Sequence, residues 1–280
     1  MKVAIVGKGG SGKSTVSWAL VHYWAMKGKT VLAIDADYNM DLAKSLGWHN
    51  GMAWSFIHTS REDFKKYLGI SEEYRFVDIP LVHSGEKVFS ITPPDAYTNS
   101  YSKSAPRNAD IRLMTVGAAQ ETHLYDNHCS HALLAPLKYY IPLLRMNNDE
   151  RVVMDGVAGT DMVAYGLFTG MDAIICVVEP TPQSRGVFDQ VSVLTRELGI
   201  PTYAIANKIS PHFPMHVLDG IPLIGKLELD YSVVEGDWDK VSINIKNAIK
   251  ECADFIDSLP KDVDAGWQRL KNWRNKLHDE

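Results

Sequence analysis

Short apolar runs alternate along the chain with stretches in which apolar residues recur every three or four positions. This alternation predicts β-α-β units and a mainly parallel sheet flanked by helices. The spacing predicts a strand over Val3–Val6, then a helix from Lys13 to Lys27 with Val16, Ala19, Leu20, Tyr23 and Trp24 on one face. Gly28 is placed to end that helix. Val31–Ile34 reads as a second strand running into Asp35 and Asp37. Later strands are expected at Arg151–Met154 (ending at Asp155), at Ala173–Val178 (ending at Glu179) and at Tyr203–Ala206 (ending at Asn207). Helices are expected over Ser184–Leu198, over Val241–Leu259 with Ile245, Ile249, Cys252 and Ile256 buried, and over Ala265–Leu277.

The pattern is weaker between residues 50 and 110. A helical piece is expected around Glu62–Leu68, a strand at Val88–Ile91, a loop from Thr92 to Pro106, and a strand at Leu113–Val116. A helix is expected from His131 to Leu144, capped or kinked by Pro136 and Pro142. With no internal repeat or low-complexity linker, residues 1–280 read as a single domain closed by C-terminal helices over about 241–278.

Composition narrows the class. The 280 residues suit one large α/β domain, and 45% hydrophobic with 22% charged residues is ordinary for a globular protein. A net charge of −5 supplies no basic field, so nucleic acid is not an expected partner. No apolar run nears the ~18 residues of a membrane span, so membrane attachment is not expected, and Val3–Val6 reads as a strand rather than a secretory leader. Cys129, Cys176 and Cys252 are too scattered for a disulfide framework, and the cytoplasm is the expected compartment.

The chemistry concentrates at residues 7–15, Gly-Lys-Gly-Gly-Ser-Gly-Lys-Ser-Thr, which fit G-x-x-x-x-G-K-[ST] between a strand and a helix. Gly9, Gly10, Ser11 and Gly12 would turn backbone N–H groups toward a phosphate chain, aided by the helix N-terminus. Lys13 would reach the β- and γ-phosphates, Ser14 would coordinate Mg²⁺, and Thr15 would meet the α-phosphate. Asn207-Lys208 reads as a base-recognition corner, since an amide can donate to and accept from an adenine edge; equally, Asn207 is a turn residue. Guanine readers use Asn-Lys-x-Asp, and Ser210 stands where that aspartate would be, which points to ATP.

The stretch Lys8-Gly9-Gly10-Ser11-Gly12-Lys13-Ser14 resembles the deviant phosphate loop of the MinD/ParA/nitrogenase-iron-protein superfamily, the SIMIBI class of P-loop NTPases. The resemblance implies an ATPase with a P-loop fold. It implies that Lys8 crosses an ATP-sandwich homodimer to the partner's phosphates. Asp35-Ala36-Asp37 is similar to the superfamily's first switch, which makes Asp37 the candidate general base and Asp41 a possible switch residue; Tyr38 stands where the family usually has proline. Asp155-Gly-Val-Ala-Gly resembles the second switch, so Asp155 would hold Mg²⁺ through water and the N–H of Gly156 or Gly159 would sense the γ-phosphate. The plainer alternative is that Asp35 and Asp155 only cap strand ends.

The opening ten residues, the run Val178–Ser184 and the Asn207-Lys208 corner are most similar to the CooC group, nickel-insertion accessory ATPases of carbon monoxide dehydrogenase. That resemblance implies a client metalloenzyme. Where the group carries Cys-x-Cys, this chain has Cys129-Ser130-His131, with His123 and His128 nearby. Cysteine and histidine both suit Zn²⁺ or Ni²⁺ held across a dimer interface; Cys129 is equally a buried cysteine beside a helix start. The alternative function is a MinD/ParA-like positioning ATPase, whose surface attachment would use Trp267, Leu270 and Leu277 among the basic residues of the last helix. An electron-transfer role would need two cysteines per subunit at a shared cluster, and only Cys129 is suitably placed.

Overall fold

The computed structural model describes residues 1–74, 79, 86–117, 134–157, 159, 166–233, 236–261 and 264–278. Among these, eight strands form one sheet: β1 (Lys2–Gly7), β2 (Thr30–Asp35), β3 (Ser102–Ala105), β4 (Asn108–Thr115), β5 (Glu150–Asp155), β6 (Ala173–Val178), β7 (Thr202–Ile209) and β8 (Leu223–Glu228). Their order is β3-β4-β2-β5-β1-β6-β7-β8, parallel throughout except for the antiparallel β3–β4 edge pair. The central strands are apolar on both sides because both faces are covered. Ala4, Val6, Leu32 and Ile34 point to one face, Val3, Ile5, Val31 and Ala33 to the other.

The second of these faces packs against α1 (Lys13–Met26), α2 (Asp41–Ser45) and the long C-terminal helix Ile243–Ser258. The first packs against α3 (Arg61–Tyr67), α4 (Ala96–Tyr101), α5 (Ala135–Leu143), α6 (Pro182–Glu197) and the last helix. We number these two C-terminal helices α7 (Ile243–Ser258) and α8 (Ala265–His278). Gly28, at φ +73°, closes α1 with the paired N–H bonds Gly28 to Ala25 O and Lys29 to Trp24 O. Thr181 caps α6 by accepting from Ser184 N–H, with Pro182 in the first turn.

The weakly patterned region differs from expectation. Val88–Ile91 is no strand; it makes only the isolated bridges Phe89–Leu144 and Ile91–Pro94. The expected loop Thr92–Pro106 holds α4, capped by Asp95 through Tyr97 and Thr98 N–H, and then β3. The strand expected at Leu113–Val116 starts earlier, at Asn108. Within the described residues, α5 starts at Ala135, with Pro136 in its first turn and Pro142 in its last. β8 had no sequence expectation. The last helix is packed rather than free: Trp267 and Leu270 are buried, and Arg269 donates to Met171 O at 2.8 Å and Gly199 O at 3.0 Å. No helix among the described residues is long and apolar enough to cross a membrane.

Candidate functional site

β1 delivers the glycine loop to the C-terminal edge of the sheet, between β5 and β6. Gly7 pairs with Val177, and a Cβ there would collide with the Val177 carbonyl. Gly10 and Gly12 lie at φ +78° and +93°, conformations that side chains resist, and a Cβ on Gly12 would strike the Asn207 amide. Ser11 N–H donates to Lys8 O at 3.1 Å, and the Lys13 ammonium reaches the same carbonyl at 3.4 Å. Val16 N–H to Gly12 O begins the helical bonding of α1, so the preceding N–H groups face the loop. Lys13 is buried, while Lys8, Ser14 and Thr15 are half-buried.

Two acidic strand ends flank this loop. Asp35 and Asp155 are register partners on β2 and β5, and both are fully buried. Asp35 Oδ1 accepts from Asp37 N–H at 3.1 Å and Oδ2 from Ala43 N–H at 2.8 Å, tying the strand end to α2. Burial, then the Asp155 charge, raises its carboxyl well above the usual range. Asp155 Oδ1 accepts from the Ser17 hydroxyl at 2.8 Å, but Oδ2 is buried without a partner. Burial pushes the Asp155 carboxyl up to about 6; the Ser14 and Ser17 hydroxyls and the Lys13 charge pull it back, and Asp37 adds repulsion. Asp37 is half-buried and accepts Asn39 N–H at 3.0 Å. Asp41 stands in the first turn of α2, 3.6 Å from Lys44. Gly159 N–H donates to Gly7 O at 3.2 Å, so the segment after Asp155 touches the glycine loop.

At the Asn207-Lys208 corner the Asn207 amide donates one N–H to Ser11 O at 2.8 Å, which leaves its second N–H and Oδ1 available. Beside it lies an apolar cleft of about 160 Å³ between α1, β7, the end of β8 and α7. Thr15, Val16, Leu227, Leu229, Tyr231 and Ile245 are among its walls. Sequence reasoning missed Leu227, Leu229 and Tyr231. The one signal pointing to them was their place after a short apolar run, Leu223–Ile224, that Gly225 and Lys226 interrupt.

The structure thus gathers Lys8 through Thr15, Asp35, Asp37, Asp155, Asn207 and Lys208 at one edge of the sheet. Cys129 and His131, with His123 and His128, lie outside the described residues. The described chain runs to Gly117, just after Val116 N–H bonds Asp35 O at 2.9 Å, and resumes at Leu134, before α5. Cys176 and Cys252 are buried, in β6 and on the inner side of α7. Among the described residues, no group of three or more His, Cys, Asp or Glu side chains is arranged to hold a metal.

The CobQ/CobB/MinD/ParA nucleotide binding domain matches residues 2–258. The chain belongs to this family. As a CobQ/CobB/MinD/ParA protein it is a P-loop ATPase. It is 29% identical over 227 residues to an uncharacterized ATP-binding protein of Methanocaldococcus jannaschii, covering 79% of this chain and 84% of the relative. It is 28% identical over 246 residues to the carbon monoxide dehydrogenase accessory protein CooC of Rhodospirillum rubrum, covering 85% and 87%. The fold is shared with MinD of Pyrococcus horikoshii, solved with Mg-ADP, at a TM-score of 0.61 and 18% identity over 92% of this chain and 96% of that one.

The family's implied magnesium can be tested against the residues present. A buried carboxylate oxygen of Asp155 lacks a partner, and the Ser14 hydroxyl lies close enough to lower the pKa of that carboxyl. Hard oxygen donors of this kind suit Mg²⁺, which keeps several waters and binds through few protein groups. The donor set of this CobQ/CobB/MinD/ParA ATPase fits the ion.

Proposed function

We propose that the chain is a Mg·ATP-driven switch that dimerises on ATP and serves the maturation of a metallocentre in a client enzyme. The buried, unpartnered Oδ2 of Asp155 carries the switch reading, because an unpartnered buried carboxylate oxygen is costly and this one sits beside the glycine loop, where a bound cation would complete it. In this reading Gly9–Gly12 present N–H groups to the phosphates, Lys13 reaches the β- and γ-phosphates, Thr15 meets the α-phosphate, and Asn207 with Lys208 faces the adenine side. Ser14 and Asp155 would hold Mg²⁺, which when bound neutralises phosphate charge. Asp37 accepts a proton from the attacking water as its oxygen bonds the γ-phosphorus and the bond to ADP breaks. Lys8, on the outer turn of the loop, supplies a positive charge to the partner's phosphates.

Metal handling is supported by the 28% identity to CooC and by Cys129 and His131 in the segment that follows β4. β4, which precedes that segment in the sequence, ends beside Asp35. A Cys-x-His pair from each subunit would bind Zn²⁺ or Ni²⁺ as cargo. Elemental analysis after gel filtration with a non-hydrolysable ATP analogue and added Zn²⁺ or Ni²⁺ tests this. The expected result is a dimer carrying about one metal per two chains, lost in Cys129→Ser/His131→Ala, and a monomer for Lys8→Ala. A metal-free wild-type dimer would sink the maturation reading and leave the ATPase standing.

A further inference from the structure

Glu179 ends β6 and opens the Glu-Pro-Thr-Pro run, yet none of the roles above uses it. Its carboxylate accepts from the Lys208 ammonium at 2.9 Å, and that same ammonium is bonded to the carbonyl of Gly10, inside the phosphate loop. Glu179 is itself fixed: its N–H donates to the Ser184 hydroxyl at 2.9 Å, and Thr181 two residues on caps α6. Lys208 sits at φ +56°, one of two non-glycine residues with positive φ among those described. A lysine resists this conformation, so the surroundings must hold it there. Lys208 lies where the β7–β8 pairing shifts register between Ala206 and Ile209, and its ammonium is held between the Glu179 carboxylate and the Gly10 carbonyl.

The consequence reaches the phosphates through the rigidity of the peptide unit. In a trans peptide the carbonyl and the following N–H point in opposite directions. Asn207 holds Ser11 O outward, which aims Gly12 N–H the other way, into the loop. Lys208 holds Gly10 O, and the other end of that peptide, Ser11 N–H, closes the turn on Lys8 O at 3.1 Å, so this peptide is pinned from both sides and fixes the turn of the loop. Without Glu179 the ammonium would be free to leave Gly10 for water, because its side chain is 38% exposed. We propose that Glu179 is a positioning residue of the ATPase, acting through Lys208 to keep the glycine loop in its anion-binding shape before nucleotide arrives. This inference rests on the ATPase reading of the same site.

A pre-shaped loop serves ground state and transition state alike, so its loss belongs in KM rather than kcat. The test compares wild type with Glu179→Gln, Lys208→Met and the double variant, measuring KM for ATP, kcat, Kd for ADP by calorimetry, and Tm. Glu179→Gln is expected to raise KM and Kd about 5- to 10-fold, the size of one lost charge-assisted hydrogen bond. Its kcat should stay within about 2-fold and its Tm unchanged. The double variant should match Lys208→Met alone, since two residues acting through one contact do not add. Additive effects, a Glu179→Gln variant with wild-type KM and Kd, or a lowered Tm in step with the loss of affinity would each overturn the inference while the ATPase stands. A wild-type chain that binds neither ATP nor ADP would overturn the ATPase reading, and this one with it.

Discussion

Two buried polar regions, one on a face of the sheet and one at its C-terminal edge, treat their hydrogen bonds in opposite ways. Around α3, α4 and α5, Phe64, Phe89, Tyr97, Tyr101 and Tyr140 pack ring against ring, with Phe89 and Tyr140 centroids 4.7 Å apart. Here the hydroxyls are matched: Tyr97 with Ser60 at 2.8 Å, Tyr140 with Thr98 at 2.9 Å, and Tyr101 with Asp63. Asp95 beneath them takes Ser90 N–H at 2.8 Å as well as the first N–H groups of α4. At the nucleotide edge, Asp155 Oδ2 and Ser11 Oγ are buried without partners, two carboxyls are pushed upward side by side, and Lys208 is held in a left-handed conformation. The first region is closed and stabilises the fold. The second is stressed and open, as a site completed by a ligand should be.

The sharpest break between them is expected from Asp155→Asn. Hydrolysis should fall about 100- to 1,000-fold, the scale for removing one electrostatic anchor of a transition state. In the absence of nucleotide, Tm should rise, because a buried carboxylate beside Asp35 is replaced by a neutral amide. Phosphate release and thermal melts of the same preparation check both halves. A variant that loses activity and melts lower would place Asp155 with the structural groups. Phe89→Ala makes the opposite prediction: about 3–5 kcal/mol of stability lost from a fully buried ring, by urea denaturation, with kcat per folded molecule unchanged. A smaller effect belongs to Tyr140→Phe, which removes one partner of Thr98 and should cost about 1 kcal/mol, again with hydrolysis intact.

The same contrast explains what was legible in the sequence. The phosphate loop was legible because its needs are local: glycines at positive φ, a lysine and a serine at fixed spacing, a strand before and a helix after. Asp35 and Asp155 were legible as acidic ends of apolar strands, but not as register partners, since that pairing joins residues 120 positions apart. β3, with the sequence Ser-Lys-Ser-Ala, carries almost no apolar signal and exists through its pairing with β4. α4 is six residues long, and its cap Asp95 sits in a run that reads as loop. The apolar cleft wall formed by Leu227, Leu229 and Tyr231 was hidden because β8 is a half-exposed edge strand broken by Gly225, which admits Cys252 of α7. The Glu179–Lys208 pair was hidden for a related reason: its meaning lies in a carbonyl of the loop, and carbonyls leave no trace in sequence.

His22 is the residue that most directly challenges the contrast. It lies away from the glycine loop, stacked on Trp238 with ring centroids 6.2 Å apart and 4.8 Å from Trp18, and its Nε2 is buried without a partner. If open polar groups marked only the ligand site, His22 would be out of place; a neutral imidazole resolves this, because losing one acceptor contact costs far less than burying a charge. Burial first, then the Arg107 charge, lowers its pKa from 6.5 to about 4. Between those values the unfolded chain binds the proton and the folded one does not, so His22 makes stability fall as pH falls from 6.5 to 4. Asp155 works the other way: its carboxyl is raised from 3.8 to about 6, the folded state binds the proton first, and stability rises as pH falls through 6. The two slopes oppose each other in nearly the same window. His22→Phe, of similar volume and unable to titrate, should therefore melt relatively higher than the wild type as the solution is acidified from pH 6.5 to 4. Thermal melts of both proteins at stepped pH give the difference directly. Parallel curves would mean that His22 binds its proton equally well in the folded and unfolded chains, and the neutral buried imidazole would be wrong.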